Sequence, residues 1–194
     1  MNSHSRIQAS FLAALLLLAG APLLAGEAHV HGQALLEISV EGDLLTVRFE
    51  SPLDNLLGFE RAPRNEHERK AVRGMATKLH DSAALLLPSP AAECIVLDTR
   101  LSAPLLGSEL LAAQTRSAPA AAEKPAARQV KNDDEHAELS ATWRFRCARP
   151  DALHDLTLKL FATFTRLRRI DAVAVGNKGQ RAARLSASQP QMRW

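Results

Sequence analysis

The sequence has no tyrosine, and its six Phe and two Trp make up only 4% of the 194 residues. Surfaces that stack bases or sugars need exposed rings, so a nucleic-acid or carbohydrate reader is not expected. Cysteine is nearly absent too. Two residues, Cys94 and Cys147, cannot build a four-thiolate zinc site. Neither charge sign dominates: 24 Lys and Arg stand against 21 Asp and Glu, and the formal charge is +3. No nucleic-acid partner follows from that balance. The apolar run Phe11 to Ala19 is about half of the ~20 residues a membrane span needs. No G-x-S-x-G, P-loop, H-E-x-x-H or dinucleotide fingerprint occurs, so no enzyme is expected.

Arg6 is the only charged side chain before Glu27. The apolar run follows it, and Ala21, Ala25, Gly26 and Ala28 come next. A basic start, a short apolar stretch and a small-residue exit are the parts of a secretory signal peptide. Residues 1–25 are read as that signal, with cuts after Ala21 or Ala28 as alternatives. Residues 26–194 then form a single exported domain with no membrane segment, and its formal charge falls to +2 with the loss of Arg6.

Ala34, Leu36, Ile38 and Val40 fall on every second position, as do Leu45, Val47 and Phe49, and Glu41-Gly42-Asp43 lies between the two runs. This pattern predicts a β-hairpin with one buried face. Pro52 and Gly58 bound a short helical turn. Asn65, with Glu68 three residues later, predicts the start of a helix over Glu66 to His80, with Val72, Met75, Ala76 and Leu79 on one stripe. Cys94 to Leu97 reads as a buried strand. Residues 112–132 are low in complexity and read as a flexible excursion. Leu139 to Cys147 alternates again, Leu156 to Phe161 reads as a strand, and Gly176 to Gly179 joins a second hairpin. The expected fold is α+β: an antiparallel sheet with one main helix and a disordered excursion.

Cys94 and Cys147 lie at strand ends in a chain read as exported, so a disulfide is expected, with a redox pair as the alternative. Closing a loop of that size contributes on the order of 4 kcal/mol. His29-Val30-His31-Gly32 is the most informative motif. With Val30 extended, the two imidazoles point to one side, about 7 Å apart, and can share a Zn²⁺. Further ligands must come from elsewhere, and His136, Glu60, His67 and His154 are the candidates. His80 reads as a last-turn residue that suits the helix dipole. A cut after Gly26 or Ala28 would also give a terminal amine and His29 a Cu²⁺ chelate. Arg166, Arg168 and Arg169 read as a solvated basic connector.

Taken together, the segments resemble a known family. The H-V-H-G-Q-A start leads into a hairpin, and Ser51-Pro52-Leu53-Asp54-Asn55-Leu56-Leu57-Gly58-Phe59-Glu60-Arg61-Ala62-Pro63 follows. One Cys comes after the helix, then a polar excursion, then Trp143-Arg144-Phe145-Arg146-Cys147. This is similar to the ZrgA-like family of small periplasmic zinc-regulated, zinc-binding proteins of Gram-negative bacteria. The resemblance implies a periplasmic Zn²⁺-binding protein that supports zinc acquisition or storage, possesses no catalysis, and works beside a zinc-uptake system component. By position it makes His29, His31, His136 and Glu60 the metal residues. The chain departs from the pattern in two places. The excursion holds Asp133, Asp134 and Glu135 but only one imidazole, His136, and Arg61 stands where many members have His. One zinc of modest affinity is therefore implied. The readings that compete with it are a non-catalytic envelope interaction module and a copper-handling protein.

Overall fold

The computed structural model describes residues 30–113, 137–177 and 179–194. The alternating residues of the first hairpin form β1 (Gln33–Glu41) and β2 (Leu44–Pro52), paired antiparallel with one face buried, as expected. The Leu139–Cys147 alternation becomes β5 (Glu138–Cys147) and lies against β2. One face of these strands is buried: Leu36 and Ile38, then Leu45, Val47 and Phe49, then Ala141, Trp143 and Phe145. Burying every second residue fixes the register, because a slip of one position would turn the whole apolar set outward.

The chain then forms a six-stranded sheet in the order β4-β5-β2-β1-β7-β8 and a three-stranded sheet in the order β3-β6-β9. The added strands are β3 (Leu86–Pro88), β4 (Cys94–Ser102), β6 (Asp155–Leu158), β7 (Arg169–Gly176), β8 (Gly179–Leu185) and β9 (Gln191–Arg193). β7 and β8 are the second hairpin, closed at Gly176 and Gly179. The expectation of a purely antiparallel sheet is corrected here: β1 and β7 run parallel, with Gln33 opposite Arg169 and Leu36 opposite Ala172. Parallel neighbours need a long crossover, and everything from β2 to the connector before β7 supplies it.

The expectation of one main helix also changes. There are several: α1 (Leu53–Leu57), α2 (Glu66–His80), α3 (Ser82–Leu85), α4 (Ser108–Leu111) and α5 (Leu160–Thr163). α2 has the predicted boundaries, and its Asn65 cap accepts the Glu68 amide at 2.9 Å. Its buried stripe of Val72, Met75, Ala76 and Leu79 covers the inner face of the sheet, where Trp143 Nε1 donates to the Leu79 carbonyl at 2.8 Å. α5 takes over Leu160 and Phe161, which the sequence pattern placed in a strand.

β4 differs from its sequence reading as well. Its apolar residues were expected to be buried, yet Ile95 is 64% exposed, and Val96 and Leu97 are also exposed. β4 is an edge strand, and a bulge between Val96 and Asp98 breaks its alternation. At its start, Cys94 is opposite Cys147 and the two form a disulfide. This is the expected state of the pair. Residues 114–132 of the expected excursion lie outside the described residues, whereas Ala112 and Ala113 follow α4 within them.

Candidate metal centre

The candidate site lies at one end of the large sheet, where β1 and β7 begin and β2 runs into α1. Two glycines shape it. Gly32 has φ +82° and Gly58, the left-handed cap of α1, also has φ +82°. Both values favour a residue with no Cβ. The Gly32 carbonyl accepts the amides of Arg168 and Arg169 at 2.8 and 2.9 Å. The parallel pairing of β1 and β7 thus brings the basic connector to the histidine motif.

Asn55 secures the other side. Its Oδ1 accepts the Gly32 amide at 2.6 Å, and its Nδ2 donates to the Gln33 carbonyl at 2.7 Å and to Ser51 Oγ at 3.1 Å. Asn55 is buried, so these bonds satisfy groups that water cannot reach. They also hold α1, and Asp54 on it, against the start of β1.

His31 projects from this frame and remains 65% exposed in its side chain. Its Nε2 lies 3.3 Å from Glu60 Oε1, and its Nδ1 lies 3.9 Å from Asp54 Oδ2. The two carboxylates thus face opposite nitrogens of one ring. Arg166 reaches the same Asp54 oxygen, with Nη1 3.8 Å from Oδ2.

Glu60 sits in a loop held by its neighbour. Arg61 donates to both Glu68 oxygens, at 2.7 and 2.8 Å, and its guanidinium lies 5.1 Å from the centre of the Phe59 ring. The Arg64 amide also donates to Glu68, at 2.7 Å. The Arg61 guanidinium, then the Arg64 amide, hold the Glu68 carboxyl down at about 2. Arg61 therefore ties the Glu60 loop to the first turn of α2.

His31 and Glu60 supply two donors of types that zinc accepts, short of a complete shell among the described residues. Bonds of about 2.0–2.1 Å in a tetrahedral shell set neighbouring donor atoms about 3.3 Å apart, which is the His31–Glu60 separation. Imidazole nitrogen and carboxylate oxygen are both ordinary zinc ligands. Asp54 Oδ2 faces the other ring nitrogen at 3.9 Å, beyond hydrogen-bond distance, and so acts on the ring as a charge. Among the described residues, no group of three His, Cys, Asp or Glu side chains could hold a metal ion.

Of the residues read as metal ligands, His31 and Glu60 come together, while His29 and His136 lie outside the described residues. The other two candidates stand elsewhere. His67 is exposed on the first turn of α2. His154 Nδ1 is 2.7 Å from the Ala152 carbonyl, and its Nε2 faces Asp155 at 3.3 Å. His80 stands in the last turn of α2, as expected, and its Nε2 is 2.8 Å from the Leu111 carbonyl. Sequence reasoning missed Asp54, Asn55 and Arg166. The first two could have been found in the same Pro-x-x-Asn stretch that points to Glu60.

The mixed sheet thus brings one imidazole and one carboxylate within 3.3 Å at one end, with a second carboxylate at 3.9 Å. The family described as ZrgA family zinc uptake protein matches residues 28–194. The chain belongs to that family. No curated protein matches it.

Proposed function

We propose that this protein is a non-catalytic, periplasmic zinc-binding protein that supports zinc acquisition or storage. The observation that carries the proposal is the 3.3 Å approach of His31 Nε2 to Glu60 Oε1 in a chain of a zinc uptake family. His31 and Glu60 bind the ion in this reading. Asp54 acts on the ring as a charge, and His29 and His136 are the remaining ligand candidates. Zinc is the cargo, and a component of a zinc-uptake system is the partner. Export through residues 1–25 is consistent with the Cys94–Cys147 disulfide, which persists in an oxidising compartment.

Calorimetric Zn²⁺ titration of the purified protein tests the proposal. The His29→Ala/His31→Ala and Glu60→Gln variants should each bind zinc more weakly than the parent. Equal binding in all three would remove the assignment.

The exposed apolar residues of the β4 edge favour a second reading, an envelope interaction module. Charged substitutions at Ile95 and Val96 that leave zinc binding intact but abolish envelope zinc supply would assign that edge a role of its own.

A further inference from the structure

The connector between α5 and β7 places a fixed positive charge beside the proposed zinc site. Arg166 Nη1 lies 3.8 Å from Asp54 Oδ2, the oxygen that faces His31 Nδ1 at 3.9 Å. The guanidinium also rests against the backbone of Gly58. A Cβ there would stand 3.1 Å from Arg166 Nε and 3.2 Å from Cζ, so the missing side chain makes room for the cation. Arg168 passes Gly32 in the same way, with Cδ and Cγ 3.4 Å from where a Cβ would be. The backbone bonds from Arg168 and Arg169 to the Gly32 carbonyl fix the connector in place. Asp54 is only 20% exposed in its side chain, so its charge is answered mainly by the groups packed around it.

We infer that Arg166 is a resident counter-cation of the His31 site, which holds zinc affinity down and keeps the ion exchangeable. The inference rests on the zinc reading above and adds a determinant of its strength. An empty site with two carboxylates would attract any cation. With Arg166 against Asp54, part of that attraction is already spent, and an arriving Zn²⁺ is repelled by the guanidinium. Two features suit release to a partner: a site whose ligands are few, and a fixed charge that opposes the ion. Arg166 binds no zinc itself. It acts through Asp54 and through the field at His31.

The test is Zn²⁺ titration of the parent, Arg166→Gln and Arg166→Lys, at low salt and at about 1 M salt. A unit charge about 10 Å from a divalent ion in water at low salt changes affinity by about two- to fourfold. Arg166→Gln should therefore bind zinc about two- to fourfold more tightly than the parent at low salt. Arg166→Lys, which keeps the charge, should match the parent. At about 1 M salt, where the screening length is about 3 Å, the gain of Arg166→Gln should largely vanish. Circular dichroism of each variant checks that it folds, which the 61% exposure of the Arg166 side chain favours. If Arg166→Gln and the parent bind equally tightly, the inference falls and the zinc reading stands. If Arg166→Lys binds as tightly as Arg166→Gln, charge is not the cause and the inference also falls. If no chain binds zinc, both readings fall.

Discussion

Asn55 Oδ1 accepts the Gly32 amide hydrogen at 2.6 Å, a bond from α1 to the residue beside His31. The same side chain donates to the Gln33 carbonyl. Asn55→Ala would leave the buried Gly32 amide and Gln33 carbonyl without these partners, at a cost of about 2–3 kcal/mol. Urea unfolding should show a lower midpoint with an unchanged slope. Asn55→Asp keeps an acceptor for Gly32 but sets a buried carboxylate oxygen against the Gln33 carbonyl, so it should be at least as destabilising as Asn55→Ala. A midpoint for Asn55→Ala that equals the parent's would show that the bonds carry no net stability.

Asp54 faces the nitrogen of His31 that points away from Glu60. At 3.9 Å from the ring this carboxylate acts on a bound cation through its charge, worth about two- to fivefold in affinity at low salt. Asp54→Asn should therefore weaken zinc binding by about two- to fivefold while leaving the fold intact. Parent-like affinity in this variant would leave Asp54 with no part in the site.

The Glu68 carboxyl is held at about 2, well below an unfolded glutamate, chiefly by Arg61 and then by the Arg64 amide. A group whose folded pKa is depressed stabilises the fold above its unfolded pKa, and that contribution is lost as pH falls toward the folded value. Stability from this clamp is thus complete above about pH 5 and fades between about pH 5 and pH 2. The parent should lose stability more steeply across that window than Glu68→Gln does. Parallel profiles of melting temperature against pH would show that the clamp is not a source of acid sensitivity.

The Cys94–Cys147 disulfide closes a loop of sequence separation 53. In the chain-entropy treatment such a closure contributes about 4 kcal/mol. Reduction, or the Cys94→Ser/Cys147→Ser pair, should lower the melting temperature by about 10 °C or more. Calorimetric scans with and without reductant read this directly, and a shift of under about 2 °C would contradict it.

How much of this could be read in advance depended on the range of the contact. The first hairpin, α2 and β5 announce themselves because the periods of Leu36/Ile38, Val72/Met75/Leu79 and Ala141/Trp143/Phe145 are local. β4 misled because continuous apolar residues suggest two buried faces, whereas its place at the edge and its bulge are set by what lies beside it. The parallel union of β1 and β7 has no local signature, since both strands alternate as antiparallel strands do. The site divides along the same line. His31 and Glu60 belong to short motifs; Glu60 stood among four candidate partners of the histidine pair, and the family resemblance singled it out together with His136. Arg166 looked like a solvated connector residue, and it is indeed exposed. Its contact with Asp54 exists because β7 docks on β1, which no spacing along the chain reveals.

Gln33 and Arg169 are hydrogen-bonded neighbours although 136 positions separate them. Contacts of such long range form slowly, because a large loop must close before any gain is made. Chains are also made from the N-terminus onward, so His31, Asp54 and Glu60 exist before Arg166 is synthesised. Until β7 docks, the imidazole and both carboxylates stand without their counter-cation. If Arg166 acts as proposed, an unfinished chain grips zinc harder than the finished one, and the last folding step is the one that loosens it.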